Sequence, residues 1–260
     1  VKNMETEFQT NVIDDFVDEY LRGRTPNPCV RCNEKVKFNR LLDWALDVGA
    51  EYLATGHYAN IGFDPKTNEF HLLKGRDLDK DQSYFLFPLK QDELRHCMFP
   101  VGHMSKLAVR QKAEEFGLLV SNKPDSQEIC FVQGKSYREF IEERVASENL
   151  KAGDIVDGQG EILGKHPGIH HFTLGQRKGL GIASHLPYFV LELRPETKEV
   201  VVGPESALFQ NRAVVENVNW INPMNEGRFE AKVRYRSRPT PVSVETMTGT
   251  SVAVSFESPQ

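Results

Sequence analysis

The chain has 260 residues, 39% of them apolar and 27% charged, with a formal net charge of −5. That composition belongs to a soluble globular protein with one large core or two to three small ones. No apolar run approaches the roughly 18 residues a membrane span needs, and Val1-Lys2-Asn3-Met4 opens no apolar signal region, so a cytoplasmic protein without a membrane partner is expected. Cys29, Cys32, Cys97 and Cys130 are too few and too scattered for a disulfide-built scaffold. The acidic balance excludes a global field for nucleic acid, so any RNA contact must use local basic surfaces.

Val12, Ile13, Phe16, Val17, Tyr20 and Leu21 recur at helical spacing and predict a helix over residues 5–22, with Gly23 after it. Thr25-Pro26-Asn27-Pro28 cannot continue that helix and predicts a stiff loop delivering Cys29 and Cys32. Phe38, Leu41, Leu42 and Ala45 mark a second helix, stopped by Gly49. Tyr52-Leu53-Ala54-Thr55 then reads as a buried parallel strand. Gly56-His57-Tyr58 would lie at its carboxyl end, where open α/β sheets place ligands. A third helix is expected from Ser105, as N-cap, to Phe116, with Gly117 as stop and Leu118-Leu119-Val120 as a strand.

The first half is thus α/β. After Cys130 a short helix over 137–145 leads into glycine-rich sequence, and beyond Tyr188 short β runs take over. Phe189 to Leu193, a Pro195-Glu196-Thr197 turn and Val200 to Val202 form the clearest hairpin. A small middle module followed by a β domain is the expected layout.

Cys29-x-x-Cys32 is the sharpest chemical signal, because two thiols at that spacing can share a metal, a disulfide or a redox step. Structural zinc needs four ligands; there is no second such pair, although Cys97, Cys130 and the eight histidines could complete a site in space. Packing, zinc, and reactive or cluster-binding thiols all remain open on the residues alone. Cys130 joins a polar turn, Pro124 to Glu128, to an apolar stretch; Cys97, in His96-Cys97-Met98-Phe99, reads as core. Arg31 and Lys35 are the cations nearest the thiols in sequence.

Gln82, within Lys80-Asp81-Gln82-Ser83-Tyr84-Phe85-Leu86, could hydrogen-bond a base edge or sit in an ordinary turn. Gly175-Gln176-Arg177-Lys178-Gly179-Leu180-Gly181 combines glycines that let backbone approach phosphates with cations that neutralise them. In Ala231 to Arg238, period-two alternation predicts a strand with Lys232, Arg234, Arg236 and Arg238 on one face, spaced about 6.5–7 Å apart.

Five ordered motifs, Thr25-Pro26-Asn27-Pro28-x-x-x-Cys32-Asn33, Ala54-Thr55-Gly56-His57-Tyr58, Lys80 to Leu86, Asp125-Ser126-Gln127-x-Ile129-Cys130-Phe131 and Gly175 to Ile182, resemble the MnmA/TrmU 2-thiouridylases. Their order and spacing match over nearly the whole chain. The resemblance implies a partial ATP-pyrophosphatase domain of the adenine-nucleotide alpha-hydrolase-like α/β class over 1–135, carrying both catalytic cysteines. A small central tRNA-contacting domain over 136–195 and a truncated C-terminal β-barrel over 196–260 follow. The family's glycine-serine-rich ATP loop and last barrel strands are expected to be missing from the chain.

The activity implied is ATP-dependent sulfur transfer to C2 of the wobble uridine of tRNA, with magnesium-bound ATP. The implied partners are tRNA and a sulfur-donor protein, either a cysteine desulfurase or a relay carrier. By resemblance Cys130 carries the persulfide, and Cys32 resolves it, leaving a transient disulfide between them. Gly56 matches the nucleotide contact and His57 a tRNA contact. Lys80, Asp81 and Gln82 match a tRNA-contacting triplet, Asn27 and Pro28 the target-base loop, and Arg234 with Tyr235 a barrel contact to tRNA. Cys29 stands where the family often has an aspartate. Three thiols, Cys29, Cys32 and Cys130, could therefore hold an iron-sulfur cluster instead. The rival readings are a non-catalytic RNA-binding module with a structural metal at Cys29 and Cys32, and another kind of ATP-pyrophosphatase.

Overall fold

A computed structural model describes residues 1–122, 129–223, 228–247 and 250–260. Helix α1 runs through Glu5–Phe8, Gln9–Asp14 and Asp15–Leu21 as one rod whose middle stretch is a wider π-helix. It turns Val12, Ile13, Phe16, Val17 and Tyr20 inward, as their spacing predicts. Helix α2 has the same construction, with Pro28–Arg31 and Leu42–Asp47 flanking a π-helical Cys32–Leu41, and Gly49 follows it at φ 87°.

Thr25, Pro26 and Asn27 form the expected loop, but Pro28 already belongs to α2, which corrects the loop's end and the setting of the two cysteines. Asn27 is extended, at φ −113° and ψ 91°, and Pro28 opens the helix. A proline there loses no hydrogen bond and has its φ preset for the helix. Cys29 and Cys32 consequently ride on α2 itself.

The first core packs α1 against Val132 and helix α5 (Tyr137–Glu142) through Phe16, Tyr20, Phe140 and Ile141. Ile129 and Phe131 join this core on either side of Cys130, and the Phe131 ring meets Phe16 edge-on at 5.4 Å. The Pro124 to Glu128 turn lies outside the described residues.

Strand β1 (Leu53–Ala54) pairs in parallel with β4 (Cys97–Met98). Between them come the antiparallel hairpin β2 (Ala59–Asp64) and β3 (Glu69–Lys74), a 3-10 turn at Ser83–Phe85 and helix α3 (Gln91–Arg95). A second core collects Phe38, Ala59, Leu86, Leu89, Leu94, Cys97 and Phe99. Cys97 is core, as expected, and burial, aided by Glu93, pushes its thiol up to about 12. The parallel direction of β1 matches expectation, but its burial does not: Leu53 is half-buried and Ala54 exposed.

Helix α4 (Lys106–Glu115) is capped by Ser105, whose Oγ accepts from the Ala108 N–H at 3.2 Å. The strand expected over Leu118, Leu119 and Val120 is a correction: these residues are exposed turns. Apolar identity alone does not supply the neighbouring backbone that a strand requires.

The central module is a four-stranded sheet in the order β6 (Ile162–His166), β5 (Gly153–Val156), β8 (Glu199–Gly203), β7 (Phe189–Arg194). Ile155, Val190, Val200 and Val202 form its core with Ile169, Phe172 and Leu180 from the connecting segment. The hairpin predicted around Pro195 to Thr197 is β7 and β8. Because both strands belong to this sheet, the module continues past the expected limit at 195.

The last sheet is antiparallel, in the order β10 (Phe229–Ala231), β11 (Thr240–Thr246), β12 (Val252–Phe256), β9 (Arg212–Val215). The segment entering it is stitched to the first unit. Asn219 Nδ2 donates to the Phe87 and Leu89 carbonyls, both at 2.8 Å, and Asn222 Nδ2 donates to the Phe70 carbonyl at 3.0 Å.

The basic strand expected over Ala231 to Arg238 is also corrected. Strand β10 stops at Ala231, and residues 233–237 make a bend and turn. The Ser237 N–H donates to the Arg234 carbonyl at 3.0 Å, while Ser237 Oγ accepts from the Arg234 N–H at 3.0 Å. These bonds close a turn, so alternating charges cannot form a flat row.

Candidate active site

Three thiols define the candidate centre. Cys29 and Cys130 are at the surface, and Cys32 is half-buried; all three are free thiols. Partial desolvation raises the Cys29 thiol above its ordinary range; a Cys130 thiolate raises it further and Lys37 opposes both. Cys32 is likewise raised by desolvation, lowered by Lys37, and raised again by Cys130 and Cys29. Cys29 and Cys32 both feel the charge of Cys130, so the turn at Cys130 has come to the start of α2. Sequence positions separated by about a hundred residues thus share one electrostatic site.

Lys37 is the functional candidate that sequence reasoning missed. The expected cations are otherwise engaged: Arg31 pairs with Asp15 at 3.1 Å and with Glu34 at 3.3 Å, and Lys35 pairs with Glu34 at 2.8 Å. Lys37 follows Cys32 by five residues within the π-helical stretch. A π-helix bonds across five residues and so brings such positions towards one face, where an α-helix would splay them. Its five-residue spacing would have been the signal, had the π geometry been visible.

Gly56 and His57 follow β1 at its carboxyl end. A Cβ added to Gly56 would meet nothing within 4 Å, leaving its backbone approachable. His57 packs its ring on Phe38 at 5.6 Å and Phe99 at 5.8 Å, and its Nδ1 lies 2.7 Å from Thr55 Oγ1. Burial, helped by the Lys37 charge, holds its imidazole down to about 4, so it is neutral at physiological pH. Lys37 thereby neighbours both the thiols and His57.

Asn33, next to Cys32, is buried and donates from Nδ2 to the Phe85 carbonyl at 3.0 Å. This bond ties α2 to the Lys80 to Phe85 turn. Asp81 is buried too; its Oδ1 accepts from Gly75 N–H at 2.8 Å and Ser83 N–H at 3.2 Å, and its Oδ2 accepts from Ser83 Oγ at 2.8 Å. Gln82 Oε1 accepts from the Tyr58 N–H at 3.0 Å. The carboxylate of Asp81 and the amide oxygen of Gln82 therefore shape the turn, leaving Gln82 Nε2 as the group suited to an outside acceptor.

Against that turn sits the bend of the last sheet. Tyr235 lies 4.5 Å from Phe85 and 5.8 Å from Tyr84 between ring centroids, with Lys232 Nζ 5.1 Å from the Tyr235 ring centre. Arg234 Nη2 donates to the Leu174 carbonyl at 3.0 Å, beside Gly175. Aromatic docking and this bond gather three motifs, Lys80 to Phe85, Leu174–Gly175 and Lys232 to Tyr235, into one basic and aromatic surface. Asn27 and Pro28 stand at the start of α2 with the thiols.

A tetrahedral zinc with Zn–S of about 2.3 Å places its sulfurs about 3.8 Å apart. Among the described residues, the three thiols do not form a group with all donor atoms within 4.8 Å; Glu142, His170 and His171 do. As placed, the thiols suit stepwise chemistry better than closed zinc coordination. Also among the described residues, no helix is long and apolar enough to cross a membrane.

Three family models match the chain in succession. Residues 1–134 match the tRNA methyl transferase HUP domain, residues 138–204 the tRNA methyl transferase PRC-barrel domain and residues 210–260 the aminomethyltransferase beta-barrel domain. Among curated proteins, the tRNA-specific 2-thiouridylase MnmA of Geobacter metallireducens is 49% identical over 100% of this chain and 71% of its own length. That of Carboxydothermus hydrogenoformans is 45% identical over 100% of this chain and 72% of its own length. That of Nostoc punctiforme is 44% identical over 97% of this chain and 73% of its own length. With consecutive domain matches and near-half identity from end to end, the chain belongs to the family of tRNA-specific 2-thiouridylases, MnmA.

Proposed function

We propose that this chain is a cytoplasmic tRNA-uridine 2-sulfurtransferase that replaces the C2 oxygen of the wobble uridine with sulfur. The observation that carries the residue roles is that Cys29 and Cys32, on one helix, both feel the charge of Cys130 and of Lys37. Gly56, with its open backbone, and His57 support an adenine-nucleotide and RNA site next to the thiols.

The chemistry follows from the leaving group. A uracil C2 oxygen departs poorly, and ATP supplies the adenylate that makes it leave as AMP. Cys130 as thiolate takes the outer sulfur of a donor persulfide, releasing the donor thiolate. The terminal sulfur then bonds to C2 as the C–O bond breaks. Cys32 next attacks the Cys130 sulfur, breaking the bond to the transferred atom, which stays on the base. The two cysteines are left as a disulfide, and an external dithiol returns two electrons. Lys37 favours the thiolate of Cys32 at the resolving step, and its neighbour Asn33 fixes that side of α2 against the RNA-facing turn.

The target uridine must leave its stack to reach the thiols. Arg234, Tyr235, Lys80 and Gln82 support a docking surface for the surrounding tRNA, with Asn27 and Pro28 near the flipped base. A sulfur-donor protein completes the partner set.

The decisive experiment uses sulfur-loaded protein, unmodified tRNA, ATP and magnesium. Cys130→Ser is expected to abolish both persulfide, seen by mass spectrometry, and 2-thiouridine. Cys32→Ser is expected to retain the persulfide but lose turnover and the disulfide. Unchanged thiolation by Cys130→Ser would reject the assignment.

The third thiol supports a second reading, in which Cys29, Cys32 and Cys130 ligate an iron-sulfur cluster with an open iron site. Cys29→Asp separates the two. Retained iron-free turnover fits the persulfide route, whereas loss of both bound iron and turnover fits the cluster.

A further inference from the structure

Away from the thiols, Glu142, His170 and His171 converge. We propose that they form a site for a zinc-class divalent cation, bound by two imidazoles and one carboxylate. Glu142 Oε1 lies 2.7 Å from His171 Nε2 and 3.4 Å from His170 Nε2, and all three donor atoms lie within 4.8 Å of one another. Metal–ligand bonds of about 2.0–2.2 Å imply ligand-to-ligand edges of about 3.3–3.5 Å in a tetrahedron. The His170 edge already matches, and the His171 edge needs a small retreat. Two nitrogens and one oxygen select zinc or a similar borderline ion over magnesium or calcium, which prefer all-oxygen shells.

The ligands come from anchored segments. Glu142 ends α5, whose Phe140 and Ile141 are buried and whose start carries a Ser136–Glu139 capping box. His170 and His171 form a 3-10 turn held by buried Ile169 and Phe172. Arg138, one turn earlier on α5, donates from Nη2 to the His171 carbonyl at 2.9 Å and keeps the turn against the helix. His170 is almost wholly buried, which fixes its ring beside Glu142. A cation here would clamp the central sheet to the helix that follows the Cys130 segment.

The test uses the full chain with Cys29, Cys32 and Cys130 all changed to Ser, which removes the competing thiols. After chelation and dialysis, zinc chloride is titrated by calorimetry, and cobalt replaces zinc for visible spectroscopy. One equivalent of zinc, a tetrahedral cobalt spectrum and a rise in Tm of about 5–10 °C at saturating zinc are expected. Adding Glu142→Gln or, separately, His171→Gln should weaken zinc binding about 100-fold or more, with circular dichroism showing the fold retained. No stoichiometric zinc in the Ser background, or equal affinity after both substitutions, would overturn the site.

Discussion

Gln82 and Tyr58 clasp each other in both directions: the Gln82 N–H donates to the Tyr58 carbonyl at 2.8 Å, and Gln82 Oε1 accepts from the Tyr58 N–H at 3.0 Å. This two-way bond holds the Lys80 to Phe85 turn, proposed to face RNA, next to Gly56 and His57. Gln82→Ala is expected to lose about 1–2 kcal/mol, because it leaves the Tyr58 N–H without its acceptor. Gln82→Glu keeps that acceptor and removes the outward N–H donors. Its Tm should stay near the parent while tRNA affinity falls, as measured by urea melts and filter binding. Equal tRNA affinity in Gln82→Glu would remove Nε2 from the docking surface.

Lys37→Met should raise the thiols of Cys29 and Cys32, because both lose the cation that offsets their desolvation. Iodoacetamide labelling of Cys32 at neutral pH would slow severalfold, and its pH profile would move upward, whereas Lys37→Arg would preserve both. The same substitution to Met relieves His57, which should then titrate closer to neutrality. An unaltered Cys32 profile in Lys37→Met would remove Lys37 from the site.

The acid response of His57 has a definite sign. Its folded pKa, about 4, is below the ordinary histidine value of 6.5, so the unfolded chain binds the proton first. Stability contributed by neutral His57 is complete above about pH 6.5 and declines as pH falls towards 4. At roughly 1.4 kcal/mol per unit, discounted for partial exposure, the loss is about 2–3 kcal/mol. His57→Gln should flatten that part of the stability curve. NMR would show the wild-type ring neutral at pH 5.5.

Arg234→Ala is expected to weaken tRNA binding and flatten the dependence of log K on log salt by about 0.7–0.9 for each phosphate it no longer neutralises. Tyr235→Phe keeps the ring that packs on Phe85 and should bind nearly as the parent does, whereas Tyr235→Ala should lose both docking and affinity. An unchanged salt slope in Arg234→Ala would argue against a phosphate contact there.

What the sequence revealed depended on how local the cause was. The inward faces of α1 and α2 were legible from apolar spacing, as was the β7–β8 hairpin from its turn. Cys97 was legible as core from its neighbours. The π-helical winding was not, and without it Lys37 is merely one more lysine after the thiols. The bend at 233–237 was hidden for a different reason: its alternating charges suit a strand, but Ser237 closes a turn and Phe85 receives Tyr235 from far along the chain. Asp81, expected as an RNA-contacting side chain, is buried with its oxygens on backbone and Ser83, a commitment no motif could display.

The stitched segment before the last sheet bears on how RNA would meet the protein under the proposed function. Asn219 and Asn222 hold carbonyls at Phe87, Leu89 and Phe70, so the bend carrying Arg234 and Tyr235 reaches Lys80 to Phe85 already in register. In the proposed reaction an incoming anticodon stem would therefore find a single preassembled footprint. The disorder that beads on a loose string would surrender at encounter has already been given up during folding, which under the proposed function would leave more of the binding energy to draw the uridine out of its stack.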